Sequence, residues 1–391
     1  MPHSRLSPPR NVICAFYAST NYGSEYRAGM EFIRFAANEG FDLAIIADLD
    51  QNSSPAEIEA IAPGMQVMHI PSPIKRQKTL YRFSDLIAQT IWHLRVARWL
   101  RKQKHIENLW VQNGASPWLP LVPYFSVSPT LIWGPVGGGE PPPPAMMQML
   151  SVGSRLRERM RSAFEKSLLK SKFTAMQRNA APRVIALART SEAQIQLQKG
   201  QQSNIPLIPE ILDPLNPVRI TRKVMSNPRI VWVGQDIPRK NLRLGLDIFE
   251  TLRAGAFPNA TLDVFGCEPN EKMSAEGVTF HGWVNKINWN LWKDDGVLLL
   301  TSFREGLPSV VLEALQNGLL CVSSDVGAIA SLRVPSLVIL PRAEYPNYSK
   351  RTIQEVTDRI RQHLETTEIE ITSISYRANL SQYLNAEGFK P

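Results

Sequence analysis

An order constrains this chain more than any composition does. Apolar runs alternate with amphipathic stretches, the series is interrupted once, and it then begins again. Val12–Ala18 is a continuous apolar run, followed by a Gly/Ser loop and an amphipathic stretch from Tyr26 to Asn38. Phe41–Ala47, Met65–Ile70, Asn108–Gln112 and Thr130–Trp133 read as further buried strands, with helical patterns at Ser84–Lys104 and Arg155–Gln177. Arg183–Ala188 leads to a helix capped by Thr190 or Ser191. Pro206, Pro209, Pro214 and Pro217 then crowd together, a density that breaks regular structure and reads as a linker. Beyond it come a strand at Arg229–Val233, a helix at Arg239–Leu252 and strands at Ala260–Phe265 and Gly296–Leu300. A helix at Pro308–Asn317 has proline in its first turn and Gly318 past its end, and strands at Leu319–Ser323 and Leu337–Leu340 complete the series. Two strand–helix runs imply an α/β chain with two doubly wound parallel sheets. A length of 391 residues supports two cores. Ligands of such sheets bind at the carboxyl ends of the strands, so the loops there hold the chemistry, in an expected cleft between the domains.

Composition removes several other classes. Hydrophobic residues at 43% and charged residues at 20% exclude global disorder. The longest apolar runs, such as Gly296–Leu300, fall far short of the ~20 residues of a membrane span. Val12–Ala18 lacks a small-residue cleavage site after it and reads as a strand rather than a signal sequence. Cys14, Cys267 and Cys321 are scattered, as are the histidines, so neither disulfides nor a metal site is expected, and the simplest compartment is cytoplasmic.

Charge is concentrated. Of the net +9, residues 1–216 supply 24 basic against 16 acidic side chains, and residues 70–172 alone hold 16 against 5. One cluster is Lys75, Arg76, Lys78 and Arg82, running into a helix with Arg95, Arg98, Arg101, Lys102 and Lys104. The other is Arg155, Arg157, Arg159, Arg161, Lys166, Lys170 and Lys172. Solvated helix faces are one reading. Docking on anionic lipid headgroups is the other, because Ile91, Trp92, Leu94, Trp99 and Leu100 interleave the first cluster. No zinc-finger spacing or RNA-binding aromatic run points to nucleic acid.

Two loops in the second half invite an anion. After Val233 comes Gly234-Gln235-Asp236-Ile237-Pro238-Arg239-Lys240-Asn241, with both cations at an expected helix start. Cations there oppose the helix dipole unless an anion binds, and a diphosphate is the natural guest. After Leu300 comes Thr301-Ser302-Phe303-Arg304-Glu305-Gly306-Leu307-Pro308, then a helix bearing Glu313. A carboxylate suits vicinal hydroxyls because it can accept a hydrogen bond from each. In the first half, Gly23-Ser24-Glu25 follows the first strand, and Gly137-Gly138-Gly139-Glu140 follows another, where consecutive glycines allow backbone to approach a ligand closely. His69, His93 and His105 read as core or surface residues, and Asp48-Leu49-Asp50 as turn chemistry.

The segment from Glu305 through Glu313 to Gly318 resembles the E-x7-E block of retaining GT-B glycosyltransferases of glycosyltransferase family 4. Val233-Gly234-Gln235 through Arg239-Lys240-Asn241 is similar to that family's phosphate block, and Phe280-His281-Gly282-Trp283-Val284 to its F-x-G-x-V turn. The first-half loops resemble the G-S-E and G-P-V-G-G-G-E loops of a subset of bacterial polysaccharide-assembly transferases. The family's arginine position is Gln235 here, and Arg239 stands as its substitute. No histidine matches the family's active-site histidine.

The resemblance implies a GT-B fold, two Rossmann-like domains facing across a cleft. The acceptor domain would cover residues 1–212 and the nucleotide-sugar domain residues 213–348, with C-terminal helices at 349–391 crossing back to the first domain. It implies a retaining, metal-independent hexosyltransferase without a cofactor, acting in exopolysaccharide or lipopolysaccharide assembly. The acceptor would be a glycan or a polyprenyl-diphosphate-linked sugar, and the protein peripheral at the inner face of the cytoplasmic membrane. Lys240, with Arg239, would hold the diphosphate, Glu305 the sugar hydroxyls and Glu313 the ribose. Gly234, Gln235, Gly306 and Leu307 would line the donor, with Gly23, Ser24, Glu25, Gly137, Gly138, Gly139 and Glu140 in the acceptor loops. A silent nucleotide-sugar binder or a membrane scaffold are the competing classes.

Overall fold

The computed structural model describes residues 9–19, 24–49, 52–72, 81–103, 105–112, 122–137, 144–178, 183–198, 205–208, 218–268, 275–284, 286–341, 344, 348–371, 376–387 and 389. The chain divides into two compact units. One comprises Met1–Glu140, Arg161–Asp213 and Ser375–Pro391, the other Pro141–Met160 and Pro214–Ile374.

The first unit opens with β1 (Asn11–Ala15), α1 (Ser24–Asn38), β2 (Leu43–Asp48), α2 (Pro55–Ile61), β3 (Gln66–Pro71), α3 (Tyr81–Leu100), β4 (Asn108–Gln112) and β5 (Thr130–Val136). After α4 (Pro144–Met149), which belongs to the second unit, and α5 (Val152–Arg178), which belongs to the second unit up to Met160 and to the first beyond it, come β6 (Arg183–Ala188) and α6 (Ser191–Gln198). The strands form one parallel sheet in the order β3-β2-β1-β4-β5-β6. This is the doubly wound arrangement, with its switch point between β1 and β4. Both faces are covered: Val12 and Cys14 enter a core around Trp92 and Trp133, while Ile13 and Ala15 enter another around Phe35 and Trp110. Burial on both faces is why these strands read as unbroken apolar runs rather than alternating ones. The end of β1 is tied to that of β2 by Asn52, whose amide donates to the carbonyls of Phe16 at 3.1 Å and Ala47 at 2.8 Å. On α1, Gly29 has no room for a side chain: a Cβ would lie 1.7 Å from the carbonyl oxygen of Tyr17.

The second unit repeats the wiring. It contains β7 (Val218–Thr221), β8 (Arg229–Val233), α7 (Leu242–Ala254), β9 (Thr261–Phe265), β10 (Val278–Phe280), β11 (Gly296–Leu300) and α8 (Ser309–Gln316). Then follow β12 (Leu320–Ser324), β13 (Leu337–Leu340), α9 (Lys350–Glu365) and β14 (Glu368–Ile371). Its parallel sheet runs β10-β9-β8-β11-β12-β13, the same order as the first once renumbered, and β14 pairs antiparallel with β7. Arg222, just past β7, donates to Nε2 of His363 on α9 at 2.7 Å, and the Leu320 amide donates to the same nitrogen at 3.2 Å. The last helix, α10 (Tyr376–Ala386), belongs to the first unit, where Leu380 and Leu384 are fully buried and Phe389 stacks on Phe41 at 5.4 Å.

Several expectations change. The helix expected from Arg239 begins at Leu242, because Asn241 takes a left-handed conformation (φ 51°) that no helix contains. The helical pattern expected over Ser349–Tyr383 is divided by β14 into α9 and α10. The aromatic interleaving of the first basic cluster is core packing: Trp92 and Leu100 are wholly buried, and Trp92 donates to the Ile70 carbonyl at 2.9 Å. Of the five interleaved residues only Leu94 is exposed. Lys75, Arg76, Lys78 and Lys104 lie outside the described residues, as do Asp50, Pro209, Pro214 and Pro217.

Candidate functional site

The loops leaving β8, β9, β11 and β12 meet at the carboxyl edge of the second sheet. The β8 turn folds on itself, with the amide of Lys240 donating to the Ile237 carbonyl at 2.9 Å. Gly234 makes this possible, since a Cβ there would stand 2.9 Å from the Trp232 ring and 3.3 Å from the stem of Lys240. The turn is strapped to β11. Trp232 Nε1 donates to Thr301 Oγ1 at 3.0 Å, and that hydroxyl donates to the Asn241 carbonyl at 2.8 Å.

The turn delivers two cations to one carboxylate. Lys240 Nζ lies 2.7 Å from Glu305 Oε1, and Arg239 Nη1 lies 2.9 Å from the same oxygen. Arg239 also donates to the Arg304 carbonyl at 2.8 Å, while its own carbonyl accepts from the Phe303 amide at 2.8 Å. Burial by itself would raise the pKa of Glu305. The charges of Lys240 and Arg239, with the hydrogen bond from Lys240, outweigh that cost and hold the carboxyl below the usual carboxylate range. Cations before a helix were expected to need an anion, and in this structure the anion is Glu305.

Gly306 and Leu307 carry the chain from Glu305 into α8. Leu307 is buried, and Pro308 caps the helix without a side-chain hydrogen bond, leaving first-turn amides unused by a cap. The Gly306 carbonyl accepts from the Ala328 amide at 2.9 Å. That contact depends on Gly327 (φ 59°), whose Cβ would lie 1.8 Å from the Gly306 oxygen. Glu313, on α8, accepts from Trp289 Nε1 at 3.2 Å. Trp289 and Gly327 escaped the sequence reading: each is far along the chain from its partner, and no local pattern marks either. Behind the Glu305 loop, Met146 of α4 packs on Phe303 with Leu150 beside it.

Gln235 is exposed, and Arg239 is the residue that joins Lys240 on Glu305. Of the first-half loop residues, Glu25 is exposed at the start of α1, and Gly137 is buried past β5. Ser24 begins α1 in its backbone, whereas Gly23, Gly138, Gly139 and Glu140 lie outside the described residues. His93 is buried with Nδ1 2.6 Å from the Tyr124 hydroxyl, a core contact. No group of three or more His, Cys, Asp or Glu suited to a metal occurs among the described residues.

The two six-stranded sheets with one shared strand order define a GT-B fold, and solved structures agree. Over 97% of this chain and 100% of theirs, it superposes on sucrose-phosphate synthase from Thermosynechococcus elongatus with a TM-score of 0.58 at 13% identity. The apo form of the lipopolysaccharide outer core galactosyltransferase WaaB gives 0.55 at 14% identity, over 96% of this chain and 99% of that one. Anabaena HepE, solved in complex with UDP and glucose, gives 0.54 at 12% identity, over 97% and 99%. More particularly, residues 227–347 match the family model for glycosyl transferases, group 1, a segment that lies inside the second unit and contains the Arg239–Lys240–Glu305 cluster. No curated protein matches the chain.

Proposed function

We propose that the protein is a glycosyltransferase that moves a sugar from a nucleoside-diphosphate donor to a glycan or lipid-linked acceptor. The observation that carries this reading is the convergence of Lys240 and Arg239 on Glu305, within the segment that matches group 1 glycosyl transferases. On this reading the donor diphosphate takes the place Glu305 holds between the cations, and the carboxylate turns to accept from sugar hydroxyls. Departure of the nucleoside diphosphate builds negative charge where Lys240, Arg239 and the first-turn amides of α8 can meet it. Those groups supply the charge stabilisation without a metal ion, so turnover should continue in a chelator. Glu313, steadied by Trp289, reads the ribose.

Transfer proceeds with retention: the acceptor hydroxyl attacks the face the diphosphate leaves, and the departing phosphate oxygen takes its proton. Glu25 and Gly137, with Gly23, Ser24, Gly138, Gly139 and Glu140, belong to the acceptor side. Polysaccharide or lipopolysaccharide assembly is the setting this reading favours, WaaB being a lipopolysaccharide outer core galactosyltransferase.

A panel of UDP- and GDP-sugars tests the proposal, read first by thermal stabilisation and then by release of the nucleoside diphosphate in the presence of acceptor glycans. Lys240→Ala should lower transfer by about 10²- to 10³-fold, the usual loss of one leaving-group or oxyanion contact. Full turnover by that variant would remove the charge role, and donor protection without consumption would mark a silent binder.

A further inference from the structure

The first turns of helix α5 are inverted. There the large apolar side chains face outward: Val152 is 79% exposed, Leu156 60% and Met160 64%. Their spacing of four residues places them in a single stripe along the helix. The inward side is polar instead, with Ser154 and Glu158 half-buried and, further on, Ser162 and Glu165 buried, the latter paired with Arg161 at 2.8 Å. Surface helices of a globular unit normally show the reverse. An outward stripe of this kind marks a surface that meets something apolar.

The charges beside the stripe identify the partner. Arg155, Arg157 and Arg159 are all exposed, although Arg155 also donates to the carbonyls of Leu150 at 2.8 Å and Gln148 at 3.1 Å, and no exposed acidic side chain accompanies them between residues 151 and 160. A second copy of the chain would bring the same three guanidinium groups to the contact, a like-charge pairing. An anionic bilayer offers acyl chains to the stripe and phosphate headgroups to the arginines together. The basic helix α3 fits less well, because of its apolar residues Ile91, Trp92, Leu94, Trp99 and Leu100 only Leu94 is exposed. Its tryptophan Trp92 is in the core.

We infer that the N-terminal turns of α5 dock on the interface of an anionic phospholipid membrane, Val152, Leu156 and Met160 entering it and Arg155, Arg157 and Arg159 meeting its headgroups. The turns of this helix up to Met160 belong to the same unit as the loop on which Met146 packs, so docking presents the Arg239–Glu305 loop from a membrane-bound unit. The inference extends the proposed lipid-linked acceptor, yet vesicle binding is measured without donor or acceptor, so the two can fail separately.

The full chain is sedimented with vesicles of phosphatidylglycerol and phosphatidylcholine, and with phosphatidylcholine alone. The wild type should pellet with the anionic vesicles and remain largely in solution with neutral ones. Leu156→Ser with Met160→Ser should lower the partition at least ~10-fold, since two large apolar side chains lose their burial in the interface. Arg157→Ala with Arg159→Ala should lower it by roughly 10- to 30-fold, and added salt should act in the same direction. Leu156→Phe with Met160→Leu should retain binding. All three double variants should keep the wild-type melting temperature and the wild-type shift with UDP, which shows that the fold and the donor reading are untouched. The inference is overturned if the wild type does not pellet, pellets equally with neutral vesicles, or is released by Arg95→Ala, Arg98→Ala and Arg101→Ala while the α5 variants still bind. A dimer in solution that the serine variants dissolve, with no vesicle binding, would assign the stripe to a second copy instead.

Discussion

Glu305 answers both cations through a single oxygen, and its side chain is only 10% exposed. Removing its charge leaves Lys240 and Arg239 without their shared counter-ion in a half-buried turn. Glu305→Gln should therefore lower the stability of the ligand-free protein by about 2 kcal/mol, the usual worth of a charged hydrogen-bonded contact. The same variant should gain more from a diphosphate than the wild type does, because the anion then fills an unanswered site. Calorimetric melting with and without UDP reads both, and an unchanged UDP shift would detach Glu305 from the anion site. The attraction of cations to this turn is visible in the sequence. That the turn's own partner is a carboxylate 65 residues further on is not, because only the parallel pairing of β8 with β11 brings the two loops together.

Among the elements, the β11 and β12 loops hold each other through Gly327. A left-handed residue with a side chain costs about 1–2 kcal/mol in backbone strain alone, and here the Cβ would also overlap the Gly306 carbonyl. Gly327→Ala should push the Glu305–Gly306 loop away from the β12 loop. Stability should fall by more than about 2 kcal/mol, and donor affinity should weaken at temperatures where the chain is still folded. Wild-type donor affinity in this variant would show that the loops are independent.

A second inter-element contact sets a pH dependence. Burial, with the charge of Arg222 beside it, lowers the pKa of His363 from 6.5 to about 3. The unfolded chain then takes up that proton first, so the contribution is complete above about pH 6.5 and is lost progressively as the pH falls toward about 3. Urea midpoints should drop between about pH 7 and about pH 4, and His363→Gln should flatten that slope while lowering the plateau. An equal slope in the variant would place the titrating group elsewhere. The strands joined here, β7 and β14, are each four residues long. Such short runs give no legible period, whereas the longer buried strands β4, β6, β8 and β11 stand at the bounds their apolar runs suggest.

At the scale of the whole molecule, the chain returns to the unit it began with. Leu380, Leu384 and Phe389 close a core that also holds Phe41 and Trp110. Deleting residues 376–391 strips three buried side chains, a loss of more than about 5 kcal/mol and comparable to the stability of a domain. The first unit should then unfold at low temperature while a UDP-dependent melting transition of the second persists. Loss of both transitions together would show that the units do not fold separately.

What the sequence alone determined is the pair of doubly wound sheets, because apolar runs buried on two faces and separated by amphipathic stretches have few other solutions. It also picked out the turns at Gly234–Lys240 and Glu305–Pro308, because glycines and charges gathered beside strand ends are local signals. The tertiary structure decided which of those charges meet, that α7 starts past Asn241, that Trp92 on α3 is core, and that the first turns of α5 hold their apolar side outward. Each of these depends on what lies across from a residue once distant segments are packed, and no window of neighbouring residues encodes that.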